Sequence, residues 1–446
     1  MSQDKGIDFQ SDYDYRIEGG DGLYTMTWTN IGVEATIDRI TDNRNNETKG
    51  EVWVNSIGSS SGHLKQGQIT LTSPTSRRTF ATALEKRIPD LDWDQIIEQI
   101  SIAVLRDYRK GVPEVEISGT IIPEAAELNR WMVKPILEVR NPTIIYGPGS
   151  VGKSLFSLYL AILAHEGMSV EGLEIEEEVR VLYLDWETSL EEIADRVRII
   201  RAGLDLPKKA ETGIWYKKMD FGIANDLPEL KRVIRKHDIG LLVIDSMGYA
   251  ASGDLESSSS ARDLFSSLRS LNVTSLCIHH ISKESMAGGR SSVNRPFGSI
   301  YFENAARHTF ELKKEQGEGE DFIEMAMYDR KANNVKRIAP IGWELTFAPG
   351  ENDVAESVVF TRRAVRNTRL RDTMRVVDQI ENLLREAGPM NRTEIAEALD
   401  KSPGQISKEL SNNREKFAKG EGDLWTNIYL PKNEDGIEKR MNLGDV

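Results

Sequence analysis

Residues 143–154 have the sequence TIIYGPGSVGKS. This stretch contains the spacing G-x-x-x-x-G-K-S between an apolar run and a helix-forming run that begins near Lys153. Glycines let backbone N–H groups curl around a phosphate, and the N-terminus of the following helix adds positive potential. The stretch therefore predicts a strand, a phosphate-binding loop and a helix, with the loop formed by Gly147, Pro148, Gly149, Ser150, Val151, Gly152, Lys153 and Ser154.

Two side chains of this loop predict the ligand. Lys153 would contact the β- and γ-phosphates, and the hydroxyl of Ser154 would ligate Mg²⁺. A second oxygen ligand follows about ninety residues later, where the apolar run LLVID ends at Asp245. Ligands bind at the carboxyl ends of strands in open α/β sheets, so Asp245 is predicted to complete the magnesium site. ATP and Mg²⁺ are the expected ligands.

A third strand end carries the candidate base. The run VLYLD is followed by Trp186 and Glu187, so the strand ends in an Asp-x-Glu pattern. Glu187 is expected at the mouth of the nucleotide site, where a carboxylate can polarise the water that attacks the γ-phosphate.

Around these strand ends, short apolar strands alternate with helices from about 125 to 365, which is the pattern of a parallel sheet. Further strands are predicted at 275–279, 308–313, 322–329 and 342–347. The fold class expected is α/β, with a mostly parallel sheet over residues 125–365.

The strand-end motifs together resemble a known family. The D-x-E end at 185–187, the D-S end at 245–246 and the run CIHHISK at 277–283 resemble the RecA-like P-loop ATPases. More narrowly, they look like the plasmid RepA-type hexameric helicases and their phage relatives, over about residues 125–350. The resemblance implies a homo-oligomeric ring in which Glu187 is the catalytic glutamate and His280 senses the γ-phosphate.

The same resemblance assigns a role to the glycine-rich segment after His280. In RecA-like rings the loop at this position faces the central channel and holds single-stranded DNA. Lys283, Arg290 and Arg295 would then contact phosphates. The alternative is a solvated surface loop without a ligand.

Rings of this type complete each site with a cation from the neighbouring subunit. Arg307 matches the RepA-type arginine position, whereas Lys331 and Lys336 fall where other ring ATPases place theirs. Asn333 departs from the usual K-x-R spacing, so the choice among the three stays open, and each is equally compatible with a plain salt bridge. Arg196 is a candidate to lie against the adenine.

The segment before the ATPase core, residues 1–124, has a different pattern. Alternating runs at 23–28, 51–54 and 68–72 predict strands, and 76–87 and 93–110 predict helices, so a small α+β domain is expected. It contains no catalytic constellation. Partner docking is the default role, while basic clusters at 77–78 and 106–110 permit DNA contact.

The segment after the core is also distinct. A charged stretch at 361–371 predicts a linker, and residues 372–446 contain helical patterns at 374–387, 391–399 and from 403 to about 417, then a β-rich run at 424–430. This order resembles a winged helix. Lys408 and Arg414 would contact duplex DNA; docking to a protein is the alternative.

Composition limits the classes of function. The 446-residue chain has a formal net charge of −14, which disfavours a protein that coats nucleic acid over its whole surface but permits a local basic loop. Its longest apolar runs are too short to span a membrane. The single cysteine, Cys277, excludes an internal disulfide and suits the reducing cytoplasm.

Three functions therefore compete. The leading hypothesis is an ATP-dependent, ring-forming DNA motor: a helicase or strand-handling ATPase in replication or recombination of a phage or plasmid. The second is a RecA-like ATPase switch that loads or regulates a partner without translocating. The third is a winged-helix DNA-binding regulator gated by ATP.

Overall fold

The structure is a computed structural model of the chain. It describes residues 13–20, 22–42, 47–58, 62–110, 130–207, 212–281, 296–298, 300–316, 322–333, 335–350, 354–365, 368–371 and 374–428. The chain divides into two compact units, one comprising Met1–Glu127 with Asp226–Lys236 and the other Leu128–Asn225 with His237–Val446. The three-domain boundaries derived from the sequence stay predictions.

The first unit has an antiparallel sheet with its strands in chain order. The strands are β1 (Arg16–Gly20), β2 (Leu23–Trp28), β3 (Val33–Asp42), β4 (Thr48–Ser56) and β5 (His63–Thr70). Helices α1 (Pro74–Glu85) and α2 (Trp93–Lys110) follow. Ser73 caps α1 and Pro74 occupies its first turn, as the sequence favours. Apolar residues from strands and helices share one core, which confirms the small α+β fold.

The first unit also contains residues that are distant in sequence. Arg232 forms an ion pair with the buried carboxylate of Asp38, and its guanidinium lies 4.4 Å from the ring centroid of Trp53. Burial raises the pKa of Asp38, and the guanidinium offsets part of that rise. The basic pair at 77–78 is engaged locally, since Arg77 donates to the carbonyl oxygen of Leu71 and Arg78 pairs with Asp94.

The second unit begins with an alternation of strands and helices. These elements are β6 (Trp131–Lys134), β7 (Leu137–Glu138), β8 (Pro142–Gly147), α3 (Lys153–Glu166), β9 (Glu174–Ile175), β10 (Arg180–Asp185), α4 (Leu190–Gly203), β11 (Ile214–Lys218), β12 (Ile239–Asp245), α6 (Met247–Ala250), α7 (Ser258–Leu271) and β13 (Thr274–His280). Between β11 and β12 the chain forms α5 (Ile223–His237), of which Asp226–Lys236 belongs to the first unit. Next come α8 (Ile300–Ala305), β14 (His308–Glu315), β15 (Phe322–Ala332), β16 (Ile341–Pro349), β17 (Ala355–Arg363) and α9 (Thr368–Arg371).

A nine-stranded sheet organises the second unit, in the order β11-β10-β12-β13-β8-β14-β15-β16-β17. Strands β11 to β14 of this order pair in parallel, and β15, β16 and β17 extend the sheet antiparallel. This arrangement confirms the predicted α/β fold class with a mostly parallel sheet. Because β8, β10, β12 and β13 run in one direction, their carboxyl ends share one edge of the sheet.

The apolar strand runs explain why this sheet is central. The side chains of Leu241, Leu242, Val243 and Ile244 in β12 are fully buried, as expected for a strand covered on both faces. Helix α3 is buried along most of its length, and its apolar residues join a core that extends to Trp343 of β16. The phosphate-binding loop is therefore mounted between two buried elements.

The last part of the second unit has three helices and three short strands. They are α10 (Val376–Ala387), β18 (Met390–Asn391), α11 (Arg392–Leu399), α12 (Pro403–Asn412), β19 (Phe417–Lys419) and β20 (Leu424–Asn427), and the strands form an antiparallel sheet in the order β18-β20-β19. The third helix was predicted to reach about Phe417, which is wrong. The helix ends at Asn412. Phe417 instead pairs with Asn427 in the sheet formed by β19 and β20, and its side chain is buried there.

The stretch 361–371 was predicted to be a linker, and this is also wrong. Strand β17 continues to Arg363, and α9 begins at Thr368. The charged composition predicts an exposed linker, but these side chains also pack against the sheet. The guanidinium of Arg362 donates to the carbonyl oxygen of Gly342 at 2.8 Å. Tyr328 of β15 donates its hydroxyl to the carbonyl oxygen of Leu370 at 2.8 Å, so this segment is docked on the sheet.

Across the described ranges, none of the helices combines the length and the apolar character required to cross a membrane.

Candidate functional site

The phosphate-binding loop connects β8 to α3. Gly152 caps α3 with φ of 92°, a left-handed conformation that favours glycine. At Gly147, an added Cβ atom would lie 2.4 Å from the carbonyl oxygen of Leu312 in β14. The backbone of the loop is therefore packed against the neighbouring strand with no room for a side chain. The left-handed conformation of Gly152 and the close packing at Gly147 explain why the sequence pattern has glycine at these two positions.

Lys153 begins α3 and is only 6% exposed. Its ammonium group donates to the carbonyl oxygens of Gly147 at 3.1 Å and Pro148 at 2.7 Å. Burial lowers the pKa of Lys153 to about 8, although the carboxylates of Asp245 and Glu187 act in the opposite direction. A buried cation with a lowered pKa is stabilised by an anion, which suits a group that receives phosphate.

Asp245 ends β12 and faces the first turn of α3. Its carboxylate accepts hydrogen bonds from Ser154 and from the buried hydroxyl of Tyr183, the latter at 2.6 Å. Burial raises the pKa of Asp245, these two hydrogen bonds lower it, and the nearby Glu187 raises it further. The sequence analysis missed Tyr183, which lies two residues before the end of β10 and whose role depends on its register with β12.

The hydroxyl of Ser154 and the carboxylate of Asp245 are the oxygen donors that Mg²⁺ prefers. Mg²⁺ in such sites takes one or two protein ligands and completes its shell with water and phosphate oxygens. The hydrogen bond that joins Ser154 to Asp245 places both donors together. These residues therefore fit a magnesium ion bound with a nucleotide, and the metal would neutralise developing phosphate charge there.

Asp185, the last residue of β10, is a fully buried organiser of the turn that follows. Its Oδ1 accepts from the backbone N–H of Glu187 at 3.0 Å, and its Oδ2 accepts from the hydroxyls of Thr188 at 2.9 Å and Tyr216 at 3.0 Å. Burial alone would raise the pKa of Asp185, but these hydrogen bonds outweigh burial and lower it. Asp185 thus stays ionised and fixes the backbone from which Glu187 projects.

Glu187 lies between two polar side chains at the strand ends. The hydroxyl of Ser246 donates to Oε1 of Glu187 at 2.7 Å, and Nε2 of His280 lies 3.8 Å from the same oxygen. Ser246 follows Asp245 through a cis peptide bond. The structure therefore brings the predicted base together with Lys153, Asp245 and His280.

The two histidines at the end of β13 have different environments. His279 is buried, and its Nε2 lies 2.7 Å from the carbonyl oxygen of Phe297. Burial lowers the pKa of His279 to about 4, so the neutral ring donates to this carbonyl near pH 7. His280 is half exposed beside Glu187. The backbone N–H of Phe297 donates to the carbonyl oxygen of His280 at 2.8 Å.

These contacts define the base of the predicted DNA-binding loop. Ile281, the residue after His280, pairs with Pro296 in an isolated bridge. Lys283, Arg290 and Arg295 lie outside the described residues.

The three candidate trans cations have distinct surroundings. Arg307 is exposed just before β14, while its backbone N–H donates to the carbonyl oxygen of Pro142 at 3.2 Å. Lys331 donates to three carbonyl oxygens of its own chain, those of Glu303, Asn304 and Ala306. The side chain of Lys336 is 74% exposed and lies 3.8 Å from a carboxylate oxygen of Glu415.

Arg196 lies on α4 and forms an ion pair with Glu192, one helical turn earlier. Its positive charge also acts on the hydroxyl of Tyr183, which is hydrogen-bonded to Asp245. Its role beside an adenine stays a prediction.

In the C-terminal segment, Lys408 and Arg414 are both exposed, on α12 and just after it. Two hydrogen bonds to Glu381 stabilise this region. Lys416 donates to its carboxylate at 2.6 Å, and Asn427 donates to its backbone carbonyl oxygen at 3.0 Å. Glu415 faces Lys336 rather than Lys408.

A family model matches the middle of the chain. Residues 116–286 match the family model described as an AAA domain. This match supports a P-loop ATPase domain in the middle of the chain. The match contains Lys153, Ser154, Glu187, Asp245 and His280, and it covers less than half of the 446 residues.

Solved structures show weak likeness to about half of the chain. A KaiC-like protein from the archaeon Pyrococcus horikoshii OT3 is 15% identical with a TM-score of 0.35, over 54% of this chain and 96% of its own. The flagellar accessory protein FlaH from Methanocaldococcus jannaschii is 12% identical with a TM-score of 0.32, over 50% of this chain and 90% of its own. No curated protein matches the chain.

Proposed function

We propose that the protein is an ATP-driven, ring-forming motor that handles single-stranded DNA, as a helicase or strand-handling ATPase. One observation carries the proposal. The strand end that places His280 3.8 Å from Glu187 continues directly into Ile281, which pairs with Pro296. The segment with Lys283, Arg290 and Arg295 is thus anchored within a few residues of the site where ATP would be cleaved.

The chemistry of hydrolysis follows from the strand ends. Glu187 accepts a proton from the attacking water while Ser246 holds the orientation of its carboxylate. Lys153 would stabilise negative charge on the phosphates, and Ser154 with Asp245 would hold the metal. His280 contacts Glu187 only if one of them moves, since 3.8 Å exceeds a hydrogen bond. In the proposed cycle, loss of the γ-phosphate would change the position of His280 and, through Ile281, the base of the loop.

Exposed apolar side chains support assembly with further copies of the chain. Phe221 and Tyr249 are 65% and 60% exposed. Both lie near the catalytic strand ends, because Trp186 donates its ring N–H to the carbonyl oxygen of Phe221 and Tyr249 follows Ser246 by one helical turn. Ile300 is also exposed, a few residues before Arg307. A neighbouring subunit that covers the strand ends would shield these rings and complete the site with Arg307.

The C-terminal segment would act as a winged helix that binds duplex DNA with α12. Lys408 and Arg414 are exposed there and supply the charge that phosphate contacts need. The net charge of −14 on the whole chain makes such contacts local.

The test is ATP turnover with and without single-stranded DNA. We expect stimulation of several-fold by single-stranded DNA, and its loss in the variant Arg290→Ala with Arg295→Ala. Arg269→Ala is the matched control, since Arg269 is an exposed arginine on the last turn of α7, before the start of β13. Turnover that is independent of DNA, with assembly that depends on ATP, would replace the motor with an assembly switch. DNA binding that disappears when residues 372–430 are removed would favour the regulator.

A further inference from the structure

Lys331 uses all of its hydrogen-bonding capacity inside its own subunit. Its ammonium group donates to the carbonyl oxygens of Glu303 at 2.7 Å, Asn304 at 2.9 Å and Ala306 at 2.8 Å. A lysine ammonium has three protons and accepts none. In this arrangement no proton of Lys331 remains for a phosphate of a neighbouring subunit.

The three carbonyl oxygens lie at the end of α8. The last carbonyl groups of a helix have no partner within the helix, and a cation near them is favourable. Lys331 reaches them from β15, where it pairs with Thr309 of β14. It therefore ties the end of α8 to the sheet at the residues directly before Arg307.

Arg307 itself is held at its backbone and exposed at its side chain. Its N–H donates to the carbonyl oxygen of Pro142, and its carbonyl oxygen accepts from the N–H of Asn333. The charges of Lys331 and Arg307 repel each other, which favours a guanidinium directed away from Lys331. Lys331 and the two backbone hydrogen bonds thus restrict the backbone of Arg307, whereas its guanidinium can still move.

We propose that Lys331 is a positioning residue that acts within its own subunit: by capping the Glu303–Ala306 turn it presents Arg307 to the nucleotide of the adjacent subunit. The inference rests on the proposed function, in which Arg307 completes the neighbouring site. It assigns different roles to two cations that the sequence could not separate.

The test is a double-mutant cycle on the turnover number of the full chain. Arg307→Ala is expected to lower kcat by about 100-fold or more, as for other cations supplied in trans. Lys331→Met is expected to lower kcat at least tenfold with little change in KM, because each subunit keeps its own nucleotide loop. Since Lys331 acts only through Arg307, the double variant is expected to be no slower than Arg307→Ala alone. Lys314→Met is the matched control and should leave kcat unchanged, because Lys314 is an exposed lysine of β14.

Mixed assemblies provide the second measurement. Lys331→Met subunits keep Glu187, whereas Glu187→Gln subunits keep a correctly positioned Arg307, so mixing these two impaired variants is expected to raise turnover above that of either variant alone. Mixing Lys331→Met with Arg307→Ala is expected to restore none. If Lys331→Met fails to fold, Lys331→Gln replaces it, because its amide retains two donors for the carbonyl cluster and should give an intermediate kcat.

The outcomes separate the two levels of the proposal. A double variant much slower than Arg307→Ala alone would show that Lys331 contributes independently, which overturns the positioning role and leaves the ring intact. An Arg307→Ala variant with unchanged kcat would overturn the role of Arg307 in the proposed function, and the positioning role with it.

Discussion

The lowered pKa of Lys153 predicts that nucleotide affinity depends on pH. Burial sets this pKa at about 8 in the free protein. A bound phosphate places negative charge beside the ammonium group and raises its pKa, so binding takes up a proton when the free lysine is neutral. Affinity is fully present below pH 8 and falls as the pH rises through 8.

The size of the effect follows from the same pKa. At pH 8 about half of the lysines are neutral, so binding should take up about half a proton. If binding restores the ordinary pKa near 10.4, affinity should fall about 20-fold between pH 7.5 and 9.5. Phosphate groups do not interfere in this range, since their last ionisation lies near pH 6.

The assay is isothermal titration calorimetry with a non-hydrolysable ATP analogue and Mg²⁺, in pairs of buffers with different ionisation enthalpies. Lys153→Ala should bind more weakly at every pH and show little pH dependence. Lys314→Ala should behave as the wild type, because Lys314 is an exposed lysine of β14. Wild-type affinity that stays constant from pH 7.5 to 9.5, or an equal pH dependence in Lys153→Ala, would refute the reasoning.

Three further predictions follow from the site and the C-terminal segment. Tyr183→Phe removes the hydroxyl that donates to Asp245 at 2.6 Å and should raise the Mg²⁺ concentration needed for nucleotide binding about 5- to 30-fold, so an unchanged magnesium titration would contradict it. Gly147→Ala places a Cβ atom 2.4 Å from a carbonyl oxygen of β14 and should cost roughly 2 kcal/mol or more in thermal unfolding, whereas an unaltered Tm would show that the loop can yield. Lys408→Ala with Arg414→Ala should reduce the salt dependence of duplex DNA binding by a slope of about 2, and an equal slope would remove both residues from the interface.

Much of the ATPase domain could be predicted because its signals are local. The strands that lead to Lys153, Glu187 and Asp245 are short apolar runs, and parallel pairing then places their carboxyl ends together. Helix α2 was predicted with its observed bounds, Trp93–Lys110, because its apolar residues repeat with the helical period over a long segment.

The residues missed in the site depend on register between strands that are distant in sequence. Tyr183 is one of several apolar or aromatic residues in β10, and only its pairing opposite Val243 directs its hydroxyl to Asp245. Ser246 belongs to the D-S strand end of the sequence, but its hydrogen bond to Glu187 forms only when both strand ends are in place. Asp185 is part of the Asp-x-Glu pattern, but the pattern alone does not show that its carboxylate organises the turn after β10.

The errors at 361–371 and 412–417 have one physical cause. The charged and polar residues of these stretches predict an exposed linker or a longer helix, although their aliphatic stems and backbone groups pack. Arg362 donates to Gly342 across the sheet, and Phe417 pairs with Asn427 in β19 and β20. Such tertiary pairing overrides local composition.

The most direct test of the central claim is single-turnover ATP hydrolysis by Glu187→Gln beside the wild type. The claim is that Glu187, ordered by Ser246 and Asp185 opposite Lys153, activates the attacking water. We predict that Glu187→Gln binds ATP within a few-fold of the wild type but hydrolyses it about 10²- to 10⁴-fold more slowly. Hydrolysis within a few-fold of the wild-type rate, at equal binding, would contradict the account.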